Sequence, residues 1–353
     1  MDYSFKKPTL EAYDILFKVE KGLEDSLVLV DYLSRNKMTG LQREYEERGI
    51  LPRTELSSGE SIDVDMNDLP EEDLLKLAGR YSEEVEYELF AKASRRLMEY
   101  NKSLMLRFDI CTAQVRMLIL LGWKEKLDKK MEEIESIIEL GIDWGRKNKF
   151  KVYKSLYHIL KCEYDTASNL LIDALSTFEG GELMTYSELV KYSLFCGLMG
   201  LSRQSIRSKL VESSEVCDAA KDVPSALDLL MSLDKCEYDT LFVSMCKFAE
   251  ELRSNAYLFD KVDYFVYRMK VRSYNQLFMS YKAISIKQMS SIFGVGQEYM
   301  LSDVEGMILR GDLRCRINHQ NMMVYKTPND STDKIGEQAE EILHTIQKMI
   351  ASE

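Results

Sequence analysis

The hexapeptide KCEYDT occurs twice without change, at residues 161–166 and at residues 235–240. The first copy begins at residue 161 and the second at residue 235. They are thus separated by 74 residues, which is twice 37. Each copy follows one helical pattern of apolar residues and precedes another, so we expect each to form a turn between antiparallel helices. A fixed period in the thirties is typical of proteins built from stacked helical hairpins.

Two further turns lie at nearly this spacing. The first, Leu121-Gly122-Trp123, ends 41 residues before Tyr164, and the second is Met199-Gly200-Leu201. Leu201 lies 37 residues after Tyr164 and 37 residues before Tyr238. The pattern predicts a right-handed helical-repeat (TPR-like) solenoid over residues 84–256. Each helix alone would leave an apolar stripe exposed, and stacking against neighbouring helices buries that stripe. A solenoid of this kind usually acts by binding other molecules.

Composition narrows the class of protein. The chain has 353 residues, five prolines and a formal net charge of −12. Few prolines favour long helices, and a negative chain repels phosphate backbones, so nucleic acid is not the expected partner. Seven cysteines without a CxxC pair indicate a reducing compartment, the cytoplasm and nucleus. We find no signal peptide and no window of 18 apolar residues, so we expect no membrane partner.

The N-terminal segment, residues 1–83, has a pattern of its own. Helical patterns cover residues 10–21, 25–32 and 41–48, and Pro52 follows them. Residues 55–75 then carry eight acidic side chains and no basic one, with Ser57, Ser58 and Gly59 among them. We interpret residues 55–75 as a solvated acidic linker. A cation site is the alternative, although the spacing of an EF-hand is absent.

The region 257–332 is predicted to be a linking helix followed by a winged-helix module. Residues 257–280 read as one long aromatic helix, which either joins the solenoid to the module or exposes a protein-binding face. Ser285 is placed to cap a helix over residues 286–293, and the turn Gly294-Val295-Gly296 leads to a second helix over residues 297–310. Gly311 ends that helix. Alternating residues then predict a strand around 313–317, a hairpin loop at 318–321 and a returning strand.

The charges of this module favour protein over nucleic acid as its partner. The second helix holds Glu298, Asp303 and Glu305 against Arg310 alone, a net charge of −2. A winged helix that binds nucleic acid therefore remains a less favoured alternative. We interpret the returning strand as the outer strand of the wing, whose unpaired backbone groups a neighbouring sheet could complete. Its predicted interface residues are Met322, Met323, Val324 and Tyr325.

The C-terminal segment, residues 333–353, is predicted to be a helix with an apolar seam. Apolar residues recur at intervals of three and four, as in a coiled coil, so the helix is expected to pack against helices of partner subunits or to fold back on its own chain. The predicted interface residues on this helix are Ile335, Ala339, Ile342, Leu343, Ile346, Met349 and Ile350.

A search for catalytic patterns finds none. The three histidines form no HExxH or other paired metal motif, and the chain lacks GxSxG, GxxxxGK[ST] and GxGxxG. We therefore predict no catalytic residue, no cofactor-binding residue, no metal site and no enzymatic activity.

The plan of helical repeats, winged helix and terminal helix resembles the PCI family, which supplies scaffold subunits to the proteasome lid, the signalosome and a translation initiation factor complex. The resemblance covers roughly residues 84–351 and is to the proteasome-lid branch, with the signalosome branch as the near alternative. The strings that carry it are GIDWGRKNKFKVY at 141–153, ALSTF at 174–178, ELMTY at 182–186, IFGVG at 292–296 and GDLRCRI at 311–317.

The resemblance implies a non-catalytic scaffold subunit of the proteasome regulatory particle. Its winged helix would pack beside those of other PCI subunits, its last helix would join a bundle of lid helices, and its contact with the ATPase ring and core particle would be indirect. Such a subunit supports ubiquitin-dependent protein degradation. These strings do not match residues 1–83, so the resemblance implies no subunit contact for that segment.

Overall fold

The computed structural model describes residues 5–52, 66, 69–178 and 181–327. These residues form 17 α-helices and three β-strands and divide into two compact units. The first unit contains the described residues up to 230 together with 247–262, and the second contains 231–246 and the described residues from 263 onward. The predicted domain boundaries at 83/84, 256/257 and 332/333 remain a prediction.

Helices make up the first unit. Their bounds are α1 Glu11–Glu20, α2 Ser26–Arg35, α3 Thr39–Glu47, α4 Glu71–Glu84, α5 Tyr87–Tyr100, α6 Leu104–Leu121, α7 Lys124–Glu139, α8 Trp144–Leu160, α9 Tyr164–Ala174, α10 Tyr186–Gly200, α11 Arg203–Ile206 and α12 Ser214–Ala220. Short 3-10 turns cover Leu175–Thr177 and Phe259–Lys261, and a π-helical turn covers Arg207–Val211. Two more helices, α13 Pro224–Lys235 and α14 Tyr238–Arg253, contribute residues to both units.

The repeated hexapeptide forms the same turn in both places. The first copy joins α8 to α9 and the second joins α13 to α14, as predicted. Cys162 and Cys236, at the same position of the two copies, both have a φ of 62°. In each turn the next residue donates its N–H to a carbonyl five residues back, at 2.9 and 3.0 Å. This bond satisfies an end carbonyl of the helix and fixes the reversal of the chain.

The same left-handed turn recurs elsewhere in the first unit. Gly122 follows α6 with a φ of 68°, and Val85 follows α4 with a φ of 60°. Trp123 and Glu86 then donate to Leu118 and Tyr81, at 3.1 and 3.0 Å. The sequence did not predict the turn after α4. Valine rarely adopts a positive φ, so the residue type at position 85 gave no sign of a left-handed turn.

The turn at residues 199–201 differs from the others. Leu201 is extended, with a φ of −73°, so no left-handed residue is needed there. Gly200 instead lies against the start of α9, where an added Cβ would come within 2.4 Å of the Asp165 backbone nitrogen and within 2.7 Å of the Tyr164 carbonyl carbon. The turn at residues 199–201 therefore contacts the turn formed by the first hexapeptide copy, and glycine is required at this contact.

Alanine at position 200 is therefore expected to destabilise the protein by about 1–3 kcal/mol, since the added methyl group overlaps backbone atoms that cannot rotate away. Urea unfolding measured by circular dichroism checks this. The matched control is Gly79→Ala inside α4, where an added Cβ has no neighbour within 4 Å. That substitution is expected to stabilise by up to about 1 kcal/mol. Equal effects at the two positions would contradict the packing described here.

The end of the acidic stretch belongs to a helix. Residues 71–75 were predicted to lie in the linker 55–75, but α4 begins at Glu71, directly after Pro70. Glu71, Glu72 and Asp73 occupy the first turn of α4, where negative charge is stabilised by the partial positive charge of the helix N-terminus. The linker interpretation is thus wrong for these residues. The remainder, apart from Met66, Leu69 and Pro70, lies outside the described residues.

The predicted single helix over 257–280 is also corrected. The helix α15, Val262–Ser280, begins five residues later, after the 3-10 turn. The side chain of Asn255 accepts hydrogen bonds from the backbone N–H groups of Tyr257 and Leu258, at 3.0 and 3.2 Å. An asparagine that binds the backbone two or three residues ahead offers those N–H groups an alternative to helical bonding, so a turn forms there instead.

A half-buried carboxyl group, that of Asp14, lies where α1 packs in the first unit. A small cavity there, of about 190 Å³, is lined by Asp14 and Lys18 of α1, by Glu188 and Lys191 of α10, and by Glu251. Burial, assisted by the negative charges of Glu188 and Glu11 and opposed by Lys18, raises the pKa of Asp14 to about 7. Asp14 therefore costs stability when it ionises.

The sign of this effect follows from proton uptake. An unfolded aspartate ionises near pH 4, whereas the folded Asp14 keeps its proton up to about pH 7, so stability falls as the pH rises between these values. Asp14→Asn is expected to stabilise the protein by roughly 2 kcal/mol at pH 8 and to have little effect at pH 4. Urea unfolding at both pH values measures it. The control is Asp31→Asn at an exposed carboxylate, and a pH-independent Asp14→Asn effect would contradict the assignment.

The second unit contains the predicted winged helix. It comprises α15, β1 Ala283–Ser285, α16 Ile286–Phe293, α17 Gln297–Leu309, β2 Cys315–Asn318 and β3 Met323–Lys326. Ser285 caps α16 by accepting a bond from the Gln288 N–H at 3.2 Å, and Gly294 and Gly311 take φ values of 65° and 82° after the two helices. The strands form an antiparallel sheet in the order β1-β3-β2.

Candidate subunit-docking surface

An aromatic cluster holds the winged helix together. Phe293, the last residue of α16, is wholly buried, and its ring lies 4.8 Å from the ring of Tyr238 and 5.0 Å from that of Phe242. The ring of Tyr274 on α15 meets Phe293 edge-on at 4.9 Å. Tyr238 belongs to the second hexapeptide. The repeated sequence that forms a helical turn therefore also supplies one wall of the module core.

An ion pair fixes α17 against α15. Lys270 Nζ lies 2.6 Å from Asp303 Oδ1 and 2.9 Å from the Tyr299 hydroxyl, and the Tyr274 hydroxyl donates to Asp303 Oδ2 at 2.8 Å. Burial disfavours the charged lysine, but the Asp303 carboxylate outweighs it, so the pKa of Lys270 is raised. One of the three acidic residues counted on this helix is therefore used inside the module and does not face a partner.

A second polar contact positions the wing. The Tyr267 hydroxyl donates to the Asp312 carboxylate and accepts from Arg310 Nε at 2.9 Å. Asn275 of α15 donates to the Asp312 carbonyl at 3.3 Å. Since Asp312 follows Gly311 at the end of α17, these bonds set the direction in which the chain enters β2.

The predicted outer strand is the central strand of the sheet. Residues 322–325 were expected to leave backbone groups unpaired, yet β3 pairs with β1 on one side and with β2 on the other. The interpretation of this strand as an edge is wrong, because the short strand β1 before α16 was not counted as part of the sheet. Three residues give little periodicity, so only their pairing reveals them as a strand.

The side chains of the predicted strand have different environments. Val324 is wholly buried in the module. Met323 and Tyr325 are half-buried, whereas Met322 lies in the hairpin turn with a φ of 52° and is 37% exposed. Of these four predicted interface residues, Met322 offers a partner the most surface and Val324 offers none.

The sheet has two edge strands, β1 and β2. The Thr327 N–H donates to the Arg314 carbonyl at 2.8 Å, and the register pairs Arg316 with Tyr325 and Ile317 with Val324. Backbone groups of an antiparallel strand alternate in direction, so those of Cys315 and Ile317 point away from β3. On the opposite edge, the Ser285 N–H is already bound by Gln288 Oε1 at 3.3 Å. Of the two edges, β2 is thus the better placed to receive another strand.

The seven predicted interface residues of the terminal helix lie outside the described residues. They are Ile335, Ala339, Ile342, Leu343, Ile346, Met349 and Ile350. The sequence reading also missed an apolar side chain in the described part of the module, Leu309 at the end of α17, which is 87% exposed. Leu309 lies within the predicted helix over residues 297–310, and no pattern in the sequence marked its side chain as exposed.

One groove of the first unit contains a cysteine whose thiol is not suited to nucleophilic chemistry at neutral pH. A groove of about 300 Å³ between α5, α6 and α7 contains Cys111, and burial raises the pKa of its thiol to about 12. The thiolate is the nucleophile, so Cys111 is unreactive near pH 7. No cluster of three potential metal ligands occurs within residues 5–52, 66, 69–178 and 181–327. In the same part of the chain, no helix combines the length and apolar character required to cross a bilayer.

Two family models match the chain. One described as 26S proteasome subunit RPN7 matches residues 63–209, and one described as PCI domain matches residues 240–327. The first begins before residue 84 and includes α4, so the similarity extends further toward the N-terminus than the sequence strings indicated.

The chain is also similar to curated proteins. It is 25% identical over 376 residues to a 26S proteasome non-ATPase regulatory subunit 6 from Dictyostelium discoideum, an alignment that covers 99% of this chain and 98% of the relative. It is 32% identical over 200 residues to the 26S proteasome regulatory subunit RPN7 of Saccharomyces cerevisiae, covering 56% of this chain and 47% of the relative. COP9 signalosome complex subunit 1 of Arabidopsis thaliana is 18% identical over 183 residues, 50% of this chain and 41% of the relative.

Proposed function

This chain is a PCI-domain protein that carries the region shared by Rpn7 proteasome subunits, and from that premise we propose that it is a non-catalytic scaffold subunit of the proteasome regulatory-particle lid. The observation that supports this most strongly is the presence of both regions, in this order, in a chain that aligns over nearly its whole length with a proteasome regulatory subunit. Its role would be to support ubiquitin-dependent protein degradation in the cytoplasm and nucleus.

The side chains of the module support a binding role. Its charged and hydroxyl groups hold helices and wing in place, as Lys270 and Tyr274 do with Asp303 and as Tyr267 does with Asp312. Groups that are committed to such bonds are poor candidates for proton transfer to a substrate. An edge strand whose backbone groups point away from its own sheet instead suits docking to another protein.

The docking mode that we propose uses β2. A strand from a sister PCI subunit would bond to the outward N–H and C=O groups of Cys315 and Ile317, and Met322 at the hairpin would contribute apolar contact. The seam of residues 335–350 would pack against terminal helices of other lid subunits. The ATPase ring and the core particle would then be reached through these neighbours.

A signalosome scaffold is the second candidate. It rests on the similarity to COP9 signalosome complex subunit 1, whose 18% identity is lower than the 25–32% found for the two proteasome relatives. The shared PCI plan accounts for this similarity without a shared complex. Neither assignment includes nucleic acid. Lys270 neutralises Asp303 inside the module, but Glu298 remains exposed on α17, where its negative charge disfavours contact with a phosphate backbone.

The terminal helix provides a test of the scaffold role. A chain that ends at residue 334 is expected to fold but to be excluded from the reconstituted lid, and Ile342→Asp combined with Ile346→Asp should act in the same way without shortening the chain. The readout is incorporation measured by native mass spectrometry. The matched control replaces the charged residues Glu341 and Lys348 by alanine, which leaves the seam intact. Normal incorporation of both seam variants would remove the terminal helix from the proposal.

A further inference from the structure

The first unit binds the start of its own chain through backbone groups. The segment Phe5–Leu10 lies outside any helix or strand. The Ser82 hydroxyl donates to the Lys7 carbonyl at 2.6 Å, and the Leu10 N–H donates to the Glu182 carbonyl at 3.3 Å. These contacts use main-chain atoms of the segment, so they do not depend on the identity of its side chains.

A buried arginine is at the centre of this contact. Arg116 of α6 is wholly buried, and its guanidinium donates to the Phe5 carbonyl and, at 3.4 Å, to the Lys7 carbonyl. It also donates to the Tyr153 hydroxyl and lies 3.5 Å from Glu182 Oε1. A buried cation is costly unless its N–H groups have acceptors. Two of the acceptors come from a segment 109 to 111 residues away in the chain.

Two apolar contacts complete the site. The ring of Phe5 meets the wholly buried ring of Phe90 edge-on, with the centroids 5.5 Å apart. Pro8 is buried, whereas the side chains of Lys6 and Lys7 are exposed. The groove therefore distinguishes an aromatic residue and a proline three positions later, and tolerates other side chains between them.

We propose that this groove, formed by Ser82, Phe90, Arg116, Tyr153 and Glu182, is a binding site for peptides without regular secondary structure that carry an aromatic residue three positions before a proline. The segment Phe5–Leu10 occupies the site in cis and blocks it. A partner peptide of the same pattern binds when this segment leaves the groove. The proposal concerns the first unit and does not depend on the assembly of the second unit with a lid.

Binding of the segment in trans tests the proposal. The probe is a fluorescein-labelled peptide with the sequence of residues 5–12, FKKPTLEA, and the readout is fluorescence anisotropy. A chain that lacks its first nine residues is expected to bind the peptide, and the full chain is expected to bind it at least about tenfold more weakly, because its own segment competes. A peptide with alanine in place of its phenylalanine is expected to bind the shortened chain on the order of tenfold more weakly.

Two variants make the test decisive. Arg116→Lys in the shortened chain keeps the charge but loses the planar fork, so the peptide should bind about tenfold more weakly. Phe5→Ala in the full chain loosens the segment without shortening the protein and is expected to increase peptide binding, which provides the test if the shortened chain does not fold. The proposal is overturned if neither the shortened chain nor the Phe5→Ala chain binds the peptide, or if binding is insensitive to Arg116→Lys.

Discussion

Alanine in place of Phe293 is expected to lower the free energy of unfolding of the winged-helix unit by about 3–5 kcal/mol. The ring of Phe293 contacts the rings of Tyr238, Phe242 and Tyr274 at 4.8–5.0 Å, so its removal leaves a cavity among elements that cannot all close on it. The measurement is urea unfolding followed by circular dichroism. Trp123 and Trp144 both lie in the first unit, so their fluorescence provides a separate signal from that unit.

The control for this substitution is Tyr264→Ala on α15. Tyr264 is 52% exposed, so its removal is expected to change the stability by no more than about 0.5 kcal/mol. A loss below about 1 kcal/mol for Phe293→Ala would show that the aromatic cluster is not the core of this module.

Proline in place of Ile317 is expected to prevent the chain from docking to a sister subunit through β2. The backbone N–H of Ile317 points away from β3, so its loss leaves the bonds between β2 and β3 intact. Proline is tolerated in edge strands for this reason. A carbonyl of the partner strand then finds no N–H donor at residue 317 and meets the proline ring instead. We expect incorporation into the lid to fall about tenfold or more.

Ile317→Val is the matched control, because it keeps the backbone N–H and nearly the same side chain. Thermal unfolding of both variants and quantitative native mass spectrometry of the reconstituted lid are the measurements. If Ile317→Pro is as stable as the unchanged chain and assembles equally well, β2 is not the docking edge.

The sequence predicted the helical turns and the winged helix because their signals are local. The two copies of KCEYDT mark turns with the same left-handed residue, and Ser285, Gly294 and Gly311 lie at helix ends where their types are preferred. The start of α17 after Gly296 and the hairpin between β2 and β3 follow from the same kind of evidence.

The sheet order could not be predicted in the same way. Whether residues 322–325 form an edge depends on where residues 283–285 pair, which lie nearly forty positions earlier in the chain. The groove occupied by Phe5 is equally nonlocal, because its arginine is Arg116 and its aromatic wall is Phe90. A single sequence carries no signal for such pairings, since periodicity reports only the side of an element that is buried.

The subunit assignment itself is tested most directly by purifying the affinity-tagged chain from its own cells at moderate salt and identifying the proteins that accompany it. The proposed role predicts PCI subunits of the lid together with proteasomal ATPases and core-particle subunits, in constant proportion to the tagged chain. Recovery of the chain alone, or with cullins and no proteasome subunit, would contradict it.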